Sequence, residues 1–288
     1  MRLCLPALLV LALGAQSAGA LPLWELSNTR SHIMVLGSIH FLRAADYPLD
    51  PAIEAALHDA DIILMELDMD DLDPADSART VATLARDPEG RDLARLLGPE
   101  AWRKASADAG KLGLDLEPLL PYEPWYAAVV VTQMRLAQVG LDASLGVEAT
   151  LVAEARREHK EIRGLETLQD QLAALDGLSP AAQRVFLQAT IDEAADVQDM
   201  ANGLIAAWKV GDAGALGADL LDGIRKQPEA YQALIVRRNM NFARRIAQLR
   251  DDRHHYLVVV GALHLVGPDS VLALLAKDGI AARQVNPP

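Results

Sequence analysis

The sequence predicts an α/β protein with a mainly parallel central sheet covered by helices. Short, continuously apolar runs rich in Val, Ile and Leu are typical of buried strands, and they alternate with longer helical stretches. A βαβ-like unit is predicted at each end of the chain, with a long helical insertion between the two. The length of 288 residues and the hydrophobic fraction of 51% are sufficient for a large core and exclude disorder as the main state.

The N-terminus has the three parts of a secretory signal peptide. Met1 and Arg2 give a positive start, residues 3–15 are almost wholly apolar, and small residues lead up to Ala20. We predict residues 1–20 as the signal peptide and residues 21–288 as a single domain. The apolar run is shorter than the roughly 20 residues of a membrane-spanning helix. The expected location is therefore the periplasm or the exterior, with no stable membrane anchor after cleavage.

A hairpin and a helix–strand unit open the mature chain. Residues 23–27 and 32–36 are β-prone runs on either side of a polar turn. A helix is predicted over residues 53–60, because Asp50 is a favourable N-cap. Residues 61–67 are apolar almost throughout, which is typical of a buried strand.

Helices dominate the middle of the chain. Residues 74–113 have a helical period with one polar face, whereas residues 125–139 are mostly apolar. A short strand is predicted over residues 161–165. Further helices are predicted over residues 147–157, 167–175, 181–210, 215–224 and 230–249.

A second βαβ-like unit closes the chain. Residues 256–260 are the most β-prone run of the sequence. A helix over residues 270–277 and a last strand over residues 280–285 follow. Apolar strands separated by helices at both ends favour one sheet with mainly parallel pairing.

Histidine and glutamate residues follow the predicted strands at their carboxyl ends, where open α/β sheets bind ligands. His40 and His264 each come three residues after a glycine, and Glu66 and Glu166 end two further strands. Two imidazoles with nearby carboxylates are typical ligands of a divalent transition metal such as Mn, Co, Zn or Fe. Such a metal lowers the pKa of a bound water, and a remaining glutamate would act as the general base.

Structural roles for these residues are open alternatives. Glu166 and Glu148 both suit the first turn of a helix, where the helix dipole favours a carboxylate, and Arg238 suits a solvated helix face. Glu66 favours a functional role, because an unpaired carboxylate on a buried strand is costly. Four other histidines are interpreted as structural or surface residues: His32, His58, His254 and His255.

Composition limits the partners of the protein. The net charge is −13, from 27 basic and 40 acidic residues, and no basic stripe is visible. This excludes nucleic acid as an expected partner and favours cations over anions as ligands. Cys4, the one cysteine, lies in the predicted signal peptide. The mature chain therefore has no thiol for a nucleophile, a Cys-ligated zinc or an iron–sulfur cluster.

Several blocks of the sequence, spread over about residues 32–285, resemble the TraB/GumN family. The two Gly-x-x-His blocks are the most specific feature of the resemblance. The matching blocks are Gly37-Ser38-Ile39-His40, Glu66, Gly164-Leu165-Glu166-Thr167 with Gln171, Trp208-Lys209-Val210-Gly211-Asp212, Arg238-Asn239, and Gly261-Ala262-Leu263-His264-Leu265-Val266-Gly267.

The resemblance implies an exported metal-dependent hydrolase, because the superfamily includes the Tiki metalloproteases. There, paired Gly-x-x-His motifs and a Glu are thought to support manganese- or cobalt-dependent peptide cleavage. We accordingly predict a metallopeptidase that acts on a peptide or protein. The predicted metal ligands are His40, Glu66, His264 and Glu148, the last at a position where many members have Asp.

The predicted catalytic residues are Glu66, Glu166 and Arg238. Arg238 would stabilise an oxyanion or a substrate carboxylate. Two alternatives remain open at this point. One is a periplasmic protein that binds haem or a metal without turnover, since two histidines suit axial haem ligation. The other is an inactive, polysaccharide-associated member of the family.

Overall fold

A computed structural model describes residues 20–286 of the chain. The predicted signal peptide, except for Ala20, lies outside the described residues, and Cys4 lies there with it. Among the residues described, no helix is both long enough and apolar enough to cross a bilayer.

Six strands form one mixed sheet at the centre of the described chain. They are β1 (Leu23–Ser27), β2 (His32–Ser38), β3 (Ile62–Met65), β4 (Glu161–Gly164), β5 (His255–Gly261) and β6 (Ala281–Gln284). Their order is β4-β3-β5-β2-β1-β6. Pairing is parallel from β4 through β2, whereas β1 pairs antiparallel with both β2 and β6. The predicted fold class, the mainly parallel sheet and the β1–β2 hairpin are therefore confirmed.

Helices flank this sheet and fill the middle of the sequence. The helices of the described chain are α1 (Pro51–Asp59), α2 (Pro74–Leu84), α3 (Leu93–Leu97), α4 (Pro99–Lys111), α5 (Pro124–Gln138), α6 (Val147–Arg157), α7 (Leu168–Asp176), α8 (Pro180–Glu193), α9 (Val197–Lys209), α10 (Ala213–Arg225), α11 (Pro228–Tyr231), α12 (Arg237–Ala247) and α13 (Val271–Lys277). The predicted cap of α1 is present, since the Asp50 side chain accepts from the Ala52 N–H at 2.9 Å.

Two of the predicted helices are interrupted. Residues 74–113 form α2, α3 and α4, because Pro88 follows α2 and Gly98 takes a φ of +82° between α3 and α4. The continuous helix predicted over residues 181–210 is also wrong. It breaks after α8, where the Ala194 carbonyl accepts from Arg135 Nε at 2.9 Å instead of continuing the helical ladder.

Alternating residues of the strands supply the cores on the two faces of the sheet. Leu36 and Val259 face one core, and Val35 and Val258 face the other. A third apolar cluster lies among α3, α4, α5 and α8, in the predicted helical insertion. β5 is buried from Tyr256 to its end, as expected for a central strand.

Candidate functional site at the carboxyl ends of the strands

The carboxyl ends of β2, β3, β4 and β5 lie side by side. The parallel register pairs Ser38 with Gly261, so both Gly-x-x-His segments leave the sheet at the same level. Beyond β3 and β4, the Glu166 N–H donates to the Glu66 carbonyl at 2.9 Å. This bond extends the ladder by one step and places the two glutamates next to each other. The sequence-predicted residues thus meet at one edge of the sheet.

Arg238 lies at the centre of a buried charge cluster. Its Nη2 donates to Glu66 Oε2 and to Glu166 Oε1, both at 2.5 Å, and its Nε donates to both Glu166 oxygens at 3.0 and 3.1 Å. Its Nη1 donates to His264 Nε2 at 3.2 Å and to the Leu234 carbonyl at 3.4 Å. The side chains of Arg238, Glu66 and Glu166 are only 8–12% exposed. Arg238 is therefore not part of a solvated helix face, and each of its N–H directions has a protein acceptor.

A π-helical turn precedes this arginine. The turn covers Gln232–Val236 and joins α11 to α12 without a break. Such turns insert an extra residue into a helix and are frequent at functional sites. Here the turn sets the rotation of α12, so that Arg238 and the fully buried Asn239 face the sheet edge.

His264 is held as a neutral imidazole. An arginine can only donate, so His264 Nε2 must accept from Arg238, and the proton lies on Nδ1. Nδ1 then donates to Asn239 Oδ1 at 2.5 Å, and Asn239 Nδ2 donates to the Asp269 carbonyl at 2.8 Å, which fixes the amide orientation. Burial lowers the pKa of His264 to about 4, even though the charge of Glu66 acts in the opposite direction.

Glu66 is ionised in spite of its burial. Its Oε1 accepts from the Gly261 N–H at 2.7 Å, and its Oε2 accepts from Arg238 and from Gln171 Nε2. Burial alone would raise the pKa of Glu66, but the positive charges of His264 and Arg238 outweigh it and lower the pKa to about 2. Since His264 is neutral at pH 7, Arg238 and the protonated His40 are the cations that keep Glu66 charged there. Burial raises the pKa of Glu166, against the effect of its hydrogen bonds from Arg238.

His40 lies on the solvent side of this cluster and pairs with Glu148. His40 Nδ1 is 2.6 Å from Glu148 Oε1, and their side chains are 59% and 19% exposed. Ser38 Oγ donates to the same carboxylate oxygen at 2.5 Å. Burial of part of the ring lowers the pKa of His40, but the hydrogen bond and charge of Glu148 outweigh it and raise the pKa to about 9.

Two glycines permit the close approach of these groups. A Cβ on Gly146 would lie 2.2 Å from the His40 carbonyl oxygen, so only glycine lets the start of α6, with Glu148, come this close. A Cβ on Gly261 would lie 3.3 Å from Glu66 Oε1 and 3.6 Å from His40 Nε2. Glu66, His264 and His40 therefore converge on Gly261.

Three further residues complete the site, and none of them has an individual role predicted from the sequence. Ser38 binds Glu148, Gln171 binds Glu66 at 3.4 Å, and Asn239 binds His264. Asn239 has the clearest sequence signal, because it is a polar residue at helical spacing from the apolar Phe242, Ala243 and Ile246. Trp208 also contributes, because its Nε1 donates to the Gly37 carbonyl at 2.7 Å and so anchors the first Gly-x-x-His segment.

The four predicted metal ligands fit a divalent ion poorly in this arrangement. The lone pairs of His264 Nε2 and Glu66 Oε2 face Arg238, and Glu66 Oε1 accepts from the Gly261 N–H. Other groups of described residues offer three ligand atoms within 4.8 Å of one another, but these four do not form such a group. The guanidinium occupies the place that a metal would need. A metal with these ligands stays a prediction from the sequence.

The chain is similar over most of its length to bacterial proteins that are described as uncharacterized. It is 23% identical over 244 residues to YbaP of Escherichia coli, which covers 85% of this chain and 88% of that protein. It is 25% identical over 282 residues to a protein of Treponema pallidum, which covers 91% of this chain and 84% of that protein. No solved structure gives a significant match. Residues 22–284 match the TraB/PrgY/gumN family, and the chain therefore belongs to that family.

Proposed function

We propose that the protein is a hydrolase in which the His40–Glu148 pair activates water. The contact of 2.6 Å between His40 Nδ1 and Glu148 Oε1 carries this proposal. A carboxylate on Nδ1 holds the proton there in the neutral ring, which leaves the lone pair on Nε2 for general-base catalysis. The ring is 59% exposed, so water and substrate can reach it.

In this mechanism the neutral His40 accepts a proton from water through Nε2. Glu148 stabilises the imidazolium that forms, and the imidazolium then returns the proton to the leaving group. Glu66 and His264 lie beneath His40, on the side away from solvent, and Arg238 fixes the positions of both side chains. We assign Arg238 to positioning rather than to oxyanion binding, because its N–H groups already have protein acceptors.

Peptide bonds are the substrate class that we propose. This step depends on the resemblance to the Tiki metalloproteases and on family membership. The excess of 40 acidic over 27 basic residues favours peptides with a positive charge, which the field of the protein would attract.

The test is hydrolysis of a fluorogenic peptide mixture by the full chain, with and without a chelator. We expect turnover to persist in the chelator, and we expect His40→Ala to lower kcat/KM by about 10²–10⁴-fold. His58→Ala is the matched control, since His58 is also an exposed histidine paired with a glutamate, Glu158. Equal activity of His40→Ala and the control, each folded by circular dichroism, would refute the proposal.

A metal-dependent peptidase is the second candidate, and one observation favours it. Glu148 Oε2 is buried and has no hydrogen-bond partner among the described residues, which is typical of an atom that faces a bound water or cation. In this candidate Arg238 must move away from His264 and Glu66, because its hydrogen bonds occupy the atoms that would bind the metal. Elemental analysis distinguishes the two. Stoichiometric Mn, Co, Zn or Fe that is lost in His40→Ala/His264→Ala, with activity that the chelator abolishes, would replace the first candidate.

A further inference from the structure

A second pair of histidines lies at the opposite end of the same two strands. β2 begins at His32 and β5 begins at His255, and the parallel register pairs these two residues directly. Their ring centroids are 5.0 Å apart. Because each strand has seven residues, this end of the sheet is roughly 20 Å from the candidate functional site. Any ligand here would be separate from that site.

Asp59, the last residue of α1, completes the group. Its Oδ2 lies 3.1 Å from His32 Nδ1 and 2.9 Å from His255 Nδ1. One ligand atom from each of the three residues lies within 4.8 Å of the others. Nitrogen and oxygen ligands about 2.0–2.1 Å from a tetrahedral Zn²⁺ are roughly 3.3 Å apart, so a small opening of the group would admit the ion.

We propose that His32, Asp59 and His255 form a binding site for Zn²⁺. Two imidazole nitrogens and one carboxylate oxygen suit a borderline divalent ion, whereas Ca²⁺ and Mg²⁺ prefer oxygen ligands alone. The three side chains are 38–52% exposed, so water reaches the group and completes the coordination. The ion would join β2, β5 and α1 at the amino end of the sheet.

Neighbouring groups orient these ligands. Glu25 Oε1 lies 3.7 Å from His32 Nε2, on the far side of the ring from Asp59. When an ion replaces the present contact of His32 Nδ1 with Asp59, a carboxylate on the Nε2 side favours the proton on Nε2 and so leaves the Nδ1 lone pair for the metal. The backbone N–H of His255 donates to Asp61 Oδ2 at 2.8 Å, which fixes the start of β5.

A group of similar composition elsewhere provides a contrast. His58, Glu154 and Glu158 also offer three ligand atoms within 4.8 Å of one another. There, however, Arg157 binds Glu154, and Lys160 lies 3.4 Å from Glu158. These two cations compete with a metal for the carboxylates. The His58 group therefore serves as a control of similar composition that should bind a metal more weakly.

The test is titration of the untagged, chelator-treated full chain with Zn²⁺ by isothermal calorimetry. We expect His255→Gln and Asp59→Asn each to bind one equivalent of Zn²⁺ fewer than the parent, or to bind it at least tenfold more weakly. His58→Gln should keep that equivalent. His40→Ala should keep it too, which separates this result from the fate of the proposed function. Zn²⁺, but not Mg²⁺, should raise the Tm of the parent and leave the Tm of His255→Gln unchanged.

Equal binding by the parent, His255→Gln and Asp59→Asn would overturn the proposal. So would a parent that binds no Zn²⁺, or an equivalent that is lost in His58→Gln and kept in His255→Gln. The substituted side chains are 47–59% exposed, and circular dichroism of each variant tests whether the fold is intact.

Discussion

The two ends of the β2–β5 strand pair carry similar side chains in opposite environments. At the carboxyl end, Glu66, Arg238 and His264 are 7–12% exposed in their side chains, and each is bound by a fixed protein partner. At the amino end, His32 and Asp59 are 38% and 52% exposed. Burial, more than residue type, thus decides whether the side chains of such a cluster form a fixed framework, held by protein partners, or an open site that a ligand can reach. His40 resembles both ends, because its side chain is exposed and yet has a fixed protein partner in Glu148.

The largest expected effect is at the buried end. Arg238→Met removes the cation between Glu66 and Glu166 and leaves two largely buried carboxylates side by side without a counter-charge between them. The free energy of unfolding should fall by about 3–5 kcal/mol, as is typical when one partner of a buried ion pair is removed. Urea denaturation at pH 7 measures this change.

Arg237→Ala is the control for this variant, because Arg237 is the exposed neighbour on the same helix. Its effect should stay within about 0.5 kcal/mol. If the free energy of unfolding falls equally in the two variants, the buried cluster contributes no more to stability than an exposed residue does. The contrast between the two ends would then be wrong.

The second effect concerns the pH dependence of hydrolysis. His40 acts as a base only when neutral, and Glu148 raises its pKa from 6.5 to about 9. The neutral fraction therefore grows as the pH rises from 7 towards 9, and kcat/KM should rise by about tenfold per pH unit below that pKa. In Glu148→Gln burial, which lowers the pKa of His40, is no longer outweighed, so the pKa should fall to 6.5 or below and the profile should level off at least roughly 2 units lower.

A pH profile of kcat/KM from pH 5 to 10 for both proteins measures this shift. The Gln variant keeps the size of the side chain and removes its charge. A profile that levels off at the same pH in both proteins would show that Glu148 does not control the titration of His40.

The third effect concerns the neutral form of His264. Asn239→Leu removes the acceptor of the Nδ1 proton and leaves a buried donor without a partner. The free energy of unfolding should fall by about 1–3 kcal/mol. Asn241→Leu, at an exposed position two residues further along α12, is the control. An equal loss in both would indicate that replacement of an amide in this helix, and not the bond to His264, causes the change.

Local patterns predicted much of the fold and the meeting of the site residues. Apolar runs identified the strands, and parallel pairing requires that Gly-x-x-His segments after β2 and β5 lie together. The interactions within the site were not predictable in this way. Arg238 is 172 residues from Glu66 in the chain, and its position depends on the π-helical turn and on how α12 packs. Neither the π-helical turn nor the packing of α12 can be predicted from the periodicity of the sequence.

The amino-end group was missed for a related reason. His32 and His255 were interpreted separately, as a structural and a surface residue, because nothing in either local pattern refers to the other. Their contact follows from the register of β2 with β5, which depends on pairing across more than 200 residues. Asp59 joins them only because α1 ends at that level of the sheet. Long-range register is therefore the information that a single sequence lacks.

The smallest expected effect is at this exposed end, and it sharpens the contrast. Without metal, His255→Gln should change the free energy of unfolding by no more than about 0.5 kcal/mol, because water replaces the lost contact with Asp59. Urea denaturation in chelator measures this value, with His254→Gln as the neighbouring control. A loss above about 1 kcal/mol, absent in the control, would mean that the group is a fixed framework like the carboxyl end. A small loss in chelator that grows when Zn²⁺ is added would instead assign the stabilising contribution of this group to the ion, since its side chains contribute little by themselves.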